Sequence, residues 1–133
     1  MVDNQIFENA KFFNKEIKIS LCTMVRKENL YNKEFVEYYI KLGIDHIFIY
    51  DYNEQSTEKI SGALGSKYKN EVTIYEKIKD RINNQSEAFT NSYQNNLNKY
   101  DWLLMVDIDE YLYIVKNTLK NYLSIKFLIN AIL

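Results

Sequence analysis

Lys18-Ile-Ser-Leu-Cys-Thr-Met-Val25 and His46-Ile-Phe-Ile-Tyr-Asp51 are short, nearly continuous apolar runs, and the stretch between them has helical spacing. Runs of this kind read as strands buried on both faces, the habit of parallel sheets. Asn32 can cap a helix over Lys33–Leu42, in which Phe35, Val36, Tyr39, Ile40 and Leu42 recur at helical intervals. Gly43 then stands where a left-handed C-terminal residue is wanted. Strand, helix and strand at this spacing make one parallel crossover unit.

The pattern continues towards the C-terminus. Ser56 can cap a second helix carrying Ile60, Leu64 and Tyr68, although Gly62 and Gly65 weaken it by about 1 kcal/mol each. Glu71–Ile78 reads as a third strand and Trp102–Val106 as a fourth. Between them Ser86–Tyr100 forms a helix with Phe89, Tyr93 and Leu97 along one face. A capped helix over Thr118–Phe127 closes the reading. Four strands alternating with helices imply an α/β fold with a parallel sheet, and right-handed crossovers favour the order 3-2-1-4. In that order the crevice between strands one and four is the expected ligand site.

With 133 residues the chain reads as a single domain over 1–133. Its 47% hydrophobic and 26% charged residues are ordinary for a globular protein. A balance of 17 basic and 18 acidic side chains lacks the basic excess of a phosphate-backbone binder, which argues against nucleic acid as the main partner. The single cysteine, Cys22, excludes an intramolecular disulfide and a cysteine-based zinc cluster, and His46 is the single histidine. Any metal must therefore be held by oxygen. No apolar run reaches the ~18 residues of a membrane span, so the expectation is a cytoplasmic protein, at most peripheral to a membrane.

The sharpest chemical feature is Trp102-Leu-Leu-Met-Val-Asp107-Ile-Asp109-Glu110-Tyr111, an apolar strand that delivers three carboxylates in quick succession. If the extended conformation persists past Val106, Asp107 and Asp109 project to one face while Ile108 points to the core. Like charges so close are best tolerated with a divalent cation, and Mg²⁺ or Mn²⁺ suits oxygen ligands of this kind. A solvated acidic loop after a buried strand would carry the same residues. Asp51, ending strand two, can accept from a nucleoside's base or ribose hydroxyls, or can serve as a turn aspartate. Arg26 and Lys27 end strand one, where cations would complement a diphosphate, and an exposed basic pair is equally ordinary there. Gln85, Asn91 and Asn95 lie near or on the helix before the acidic strand, within reach of sugar hydroxyls or merely wet. His46, at the start of a buried strand, reads as structural.

Taken together these motifs resemble the start of a GT-A type glycosyltransferase domain of the family 2 and family 92 branch. The resemblance runs through Ile19 to Val25 with Arg26-Lys27-Glu28-Asn29, then Phe35-Val-Glu37-Tyr38-Tyr39, then Leu42-Gly43-Ile44-Asp45-His46-Ile-Phe-Ile-Tyr50-Asp51. Gln85 and Trp102 through Asp107-Ile-Asp109-Glu110-Tyr111-Leu112 complete it in order.

The resemblance implies a Rossmann-like half-domain and transfer of a sugar from a nucleotide-sugar donor to a glycan or lipid-linked saccharide acceptor, often in lipopolysaccharide or capsule. It implies that Asp107 and Asp109 are the D-x-D pair holding Mn²⁺ or Mg²⁺ against the donor diphosphate, and that Asp51 contacts the nucleoside. Arg26 and Gln85 join Asp107 and Asp51 as nucleotide-sugar-binding residues. In such families the general base and much of the acceptor site follow the D-x-D, so a chain ending at Leu133 reads as truncated after that strand and the next helix. Glu110 is a poor substitute base beside the metal ligands. Two alternatives stand beside the enzyme: a remnant that binds nucleotide sugar without turnover, and a non-enzymatic α/β interaction module.

Overall fold

Ile19–Val25 (β1) is buried along almost its whole length, as a strand covered on both faces must be. In the computed structural model, residues 16–26, 32–53, 64, 66–76, 80–115 and 118–124 are described. The elements after β1 are Asn32–Leu42 (α1), His46–Asp51 (β2), Val72–Glu76 (β3), Gln85–Asn96 (α2) and Trp102–Met105 (β4). The strands form one sheet in the order β3-β2-β1-β4, and every pair is parallel. This is the expected order. The helix expected from Ser56 falls mostly outside the described residues, although Leu64 lies in the core and Tyr68 packs against it.

Strand alternation sorts the core into two layers. Ile19, Leu21 and Val25 of β1 with Ile47 and Ile49 of β2 face Phe35, Val36 and Tyr39 of α1. On the opposite side Cys22, Phe48 and Tyr50 meet Ala88 of α2. Residues 119–124 are helical and return Leu119 and Leu123 to the first layer.

The N-terminal edge of the sheet is fastened by two aspartates. Asp45 accepts the Ile19 amide at 2.8 Å through one oxygen and the Lys120 ammonium at 2.8 Å through the other. Asp101 accepts the Lys18 amide at 2.9 Å. Gly43, with φ of 111°, lets α1 end as expected, the Gly43 and Ile44 amides closing on Ile40 and Tyr39 carbonyls. The Leu42-Gly-Ile-Asp-His46 motif is therefore a structural hinge between α1, β2 and the closing helix.

α2 packs differently from the expectation. Its buried residues are Ala88, Ser92 and Asn96, whereas Tyr93 and Leu97 are 59% and 50% exposed. The cause lies in β1, whose Ser20 hydroxyl donates to the Asn96 side chain, which itself donates to the Ser92 carbonyl. Small and polar groups let the helix approach this face of the sheet; Phe89 packs against the same layer, while Tyr93 and Leu97 turn outwards. α2 also starts earlier than Ser86. Asn84 caps it by accepting the Glu87 amide at 2.9 Å, and Glu87 accepts the Asn83 amide at 2.7 Å.

Candidate functional site

All strands run the same way, so their C-terminal ends share one edge, and the candidate residues collect there. Val25 pairs with Asp51 across β1 and β2, and Arg26 follows Val25 directly. Cys22 pairs with Met105, and the Val106 amide extends the ladder to the Cys22 carbonyl at 3.2 Å, which carries β4 up to Asp107. β1 thus stands between β2 and β4, and Arg26 between Asp51 and Asp107 along the edge. Gln85, exposed, opens α2 at the same end, which Tyr52 ties down by donating to the Asn84 carbonyl at 2.8 Å.

The acidic stretch is a turn. The Glu110 amide donates to the Asp107 carbonyl at 2.9 Å, and the Glu110 carboxylate accepts the Asp107 amide at 2.8 Å. The extended conformation expected past Val106 is therefore interrupted, because these two bonds satisfy the backbone locally once β4 ends. Ile108 nevertheless points to the core as expected: it is 1% exposed and sits in the α1-side core, while Asp107 and Asp109 are exposed. Lost hydration and then the neighbouring Glu110 and Asp109 carboxylates raise the proton affinity of Asp107. Glu110 is the residue that closes the turn.

Asp51 is 1% exposed, and its Oδ1 accepts the Asn53 amide at 2.8 Å. This is the turn geometry that the sequence allowed for it. Asn91 and Asn95 serve the fold. Asn91 accepts the Tyr50 hydroxyl at 2.6 Å, and Asn95 donates to the Tyr75 hydroxyl at 3.0 Å, under tyrosine rings stacked at 5.0 Å. His46 is structural as expected, bonded to the Thr73 hydroxyl at 2.7 Å. Lys27 lies outside the described residues.

The sequence reading missed what holds the acidic turn. Tyr39 of α1 is fully buried, and its hydroxyl donates to the Glu110 carbonyl at 2.8 Å and accepts the Leu112 amide at 3.0 Å. Adjacent tyrosines on an otherwise amphipathic helix were the available signal, since a buried tyrosine needs a partner for its hydroxyl.

A sheet wound in opposite directions about β1, with polar groups at its C-terminal edge, defines the Rossmann-like class of α/β proteins. Residues 15–127 match the sequence profile of glycosyltransferase family 92, so the chain belongs to that family. It is 26% identical over 120 residues to a glycosyltransferase family 92 protein of Oryza sativa subsp. japonica, covering 86% of this chain and 20% of the relative. A glycosyltransferase family 92 protein of Ricinus communis is 25% identical over 100 residues, covering 75% of this chain and 18% of that protein. The chain thus spans about a fifth of the length of these relatives. No solved structure gives a significant match.

Proposed function

We propose that this chain binds the nucleotide-sugar donor of a GT-A type glycosyltransferase, with the acidic turn at the diphosphate and the β1/β4 crevice as the cleft. The observation that carries the reading is the convergence of Arg26, Asp51, Gln85 and Asp107 on one sheet edge in a family 92 chain. Asp51 marks the nucleoside end, Arg26 offers charge to the diphosphate, and Gln85 offers an amide to sugar hydroxyls. The acceptor is a glycan or lipid-linked saccharide, met in the cytoplasm or at a membrane surface. Among the described residues no helix is long and apolar enough to cross a membrane.

Asp107 and Asp109 fit a divalent cation whose shell is completed from outside the protein. Among the described residues no three carboxylate, histidine or cysteine side chains form a metal cage. Mg²⁺ and Mn²⁺ sites at diphosphates commonly use only one or two carboxylates, the rest being phosphate oxygens and water. Lost hydration and then the neighbouring Glu110 and Asp109 carboxylates raise the proton affinity of Asp107, and a cation would relieve the second of these. A bound Mn²⁺ or Mg²⁺ would supply charge neutralisation to the departing nucleoside diphosphate.

The test is release of nucleoside diphosphate from a panel of nucleotide sugars with Mn²⁺. Release above background that disappears in Asp107→Asn supports transfer or donor hydrolysis. Binding without release assigns donor recognition alone. Neither binding nor release would leave the non-enzymatic module as the function.

A further inference from the structure

The acidic turn is gripped from behind by one helix. Ile108 plugs into the core between Asp107 and Asp109. Immediately past the turn, the Tyr39 hydroxyl bridges the Glu110 carbonyl at 2.8 Å and the Leu112 amide at 3.0 Å, 71 residues or more along the chain. The Tyr38 hydroxyl donates to the Leu112 carbonyl. Tyr111, between these two bonded residues, is packed against Tyr38, Phe35 and Tyr39 with ring centroids at 4.9, 6.0 and 6.2 Å.

These contacts divide the labour unequally. Rings and Ile108 supply apolar packing, which fixes the depth of the loop. The Tyr39 oxygen satisfies both a backbone donor and a backbone acceptor on either side of Tyr111, outside any regular ladder. Removing it leaves both groups short of a partner in a partly buried place, a loss of about tenfold in the local closing equilibrium. Tyr39 bonds to the backbone just beyond the two aspartates and so sets where the backbone carrying them can lie.

We propose that Tyr39 is a positioning residue for the acidic turn, coupling the α1 helix to cation and diphosphate affinity; the proposal rests on the donor-site reading of Asp107 and Asp109. Two carboxylates that share one ion tolerate little displacement, and groups that orient ligands from outside the coordination shell commonly change metal affinity by roughly 10-fold to 100-fold.

The test uses Tyr39→Phe, which keeps the ring and removes the oxygen. Amide hydrogen exchange followed by NMR should show Leu112 and Glu110 exchanging about tenfold faster, with β1 and β2 amides at wild-type rates. Mn²⁺ titration without pyrophosphate, followed by the electron paramagnetic resonance signal of free Mn²⁺ against a protein-free reference, should show binding weakened by about tenfold. Tyr68→Phe, which removes the hydroxyl bonded to Glu37 at 2.6 Å, should leave both readouts unchanged. Unaltered exchange at Leu112, or wild-type Mn²⁺ affinity in Tyr39→Phe, overturns the proposal. A wild-type chain that takes up no Mn²⁺ overturns the donor-site reading and this proposal with it, and that failure is seen before any substitution is made.

Discussion

The carboxylate of Asp45 joins Lys120 at 2.8 Å with one oxygen while the other holds the Ile19 amide at 2.8 Å. One side chain thus ties the start of β1 to the start of β2 and to the closing helix. Asp45→Ala strands the Ile19 amide at a partly buried edge and should cost about 1 to 3 kcal/mol in urea denaturation. Lys120→Ala removes only a partly exposed ion pair and should cost less than about 1 kcal/mol. Equal losses in the two variants would show that the ion pair, and not the backbone bond, is what matters.

The face of α2 that meets the sheet can be read by substitution. Ala88→Leu adds volume at a position with no exposed surface and should destabilise the fold by about 1 to 3 kcal/mol. Leu97→Gln, at a half-exposed position, should change stability by no more than about 0.5 kcal/mol. The reverse ranking would mean that Leu97, and not Ala88, faces the sheet.

Burial holds the His46 imidazole below its ordinary value, with the Glu71 charge and a backbone bond to Asn70 pulling the other way. The unfolded chain therefore binds the proton more readily than the folded one. The stabilisation from a neutral His46 is complete above the unfolded value near 6.5 and is lost as the pH falls through the lower folded value. Denaturation midpoints should drop on acidification below neutrality, and His46→Gln should flatten that part of the profile.

Cys22 has no exposed surface, and burial pushes its thiol up to about 11. A disulfide reagent at mildly alkaline pH should leave the native thiol unmodified and label it only on unfolding. Rapid stoichiometric labelling of folded protein would show that the α2 face of β1 opens.

Asp107 carries its charge against a gradient set by lost hydration and by Glu110 and Asp109. Its folded-state proton affinity is raised, so ionising it costs stability as the pH climbs through the carboxylate range. Asp107→Asn should melt at or above the wild-type temperature without metal, yet lose any stabilisation by Mn²⁺ with pyrophosphate. A melting-temperature increase with Mn²⁺ that survives the substitution would place the ion elsewhere.

The sequence by itself determined the strand-helix-strand unit, the sheet order and the edge on which the candidate residues meet. Those features follow from local periodicity together with the handedness of parallel crossovers, which leaves few ways to wind four strands. Strand alternation also pointed Ile108 inwards, and it lies there although the segment closes into a turn, since an apolar residue among carboxylates has one favourable side. Only the tertiary structure decided that residues 107–110 close into a turn, that Asp51 folds back on Asn53, and that α2 offers its small residues to β1. The Tyr39 bridge belongs to the same class. Hydrogen bonds from Ser20 to Asn96 and from Tyr39 to Glu110 join residues 76 and 71 positions apart, a separation that local spacing does not encode.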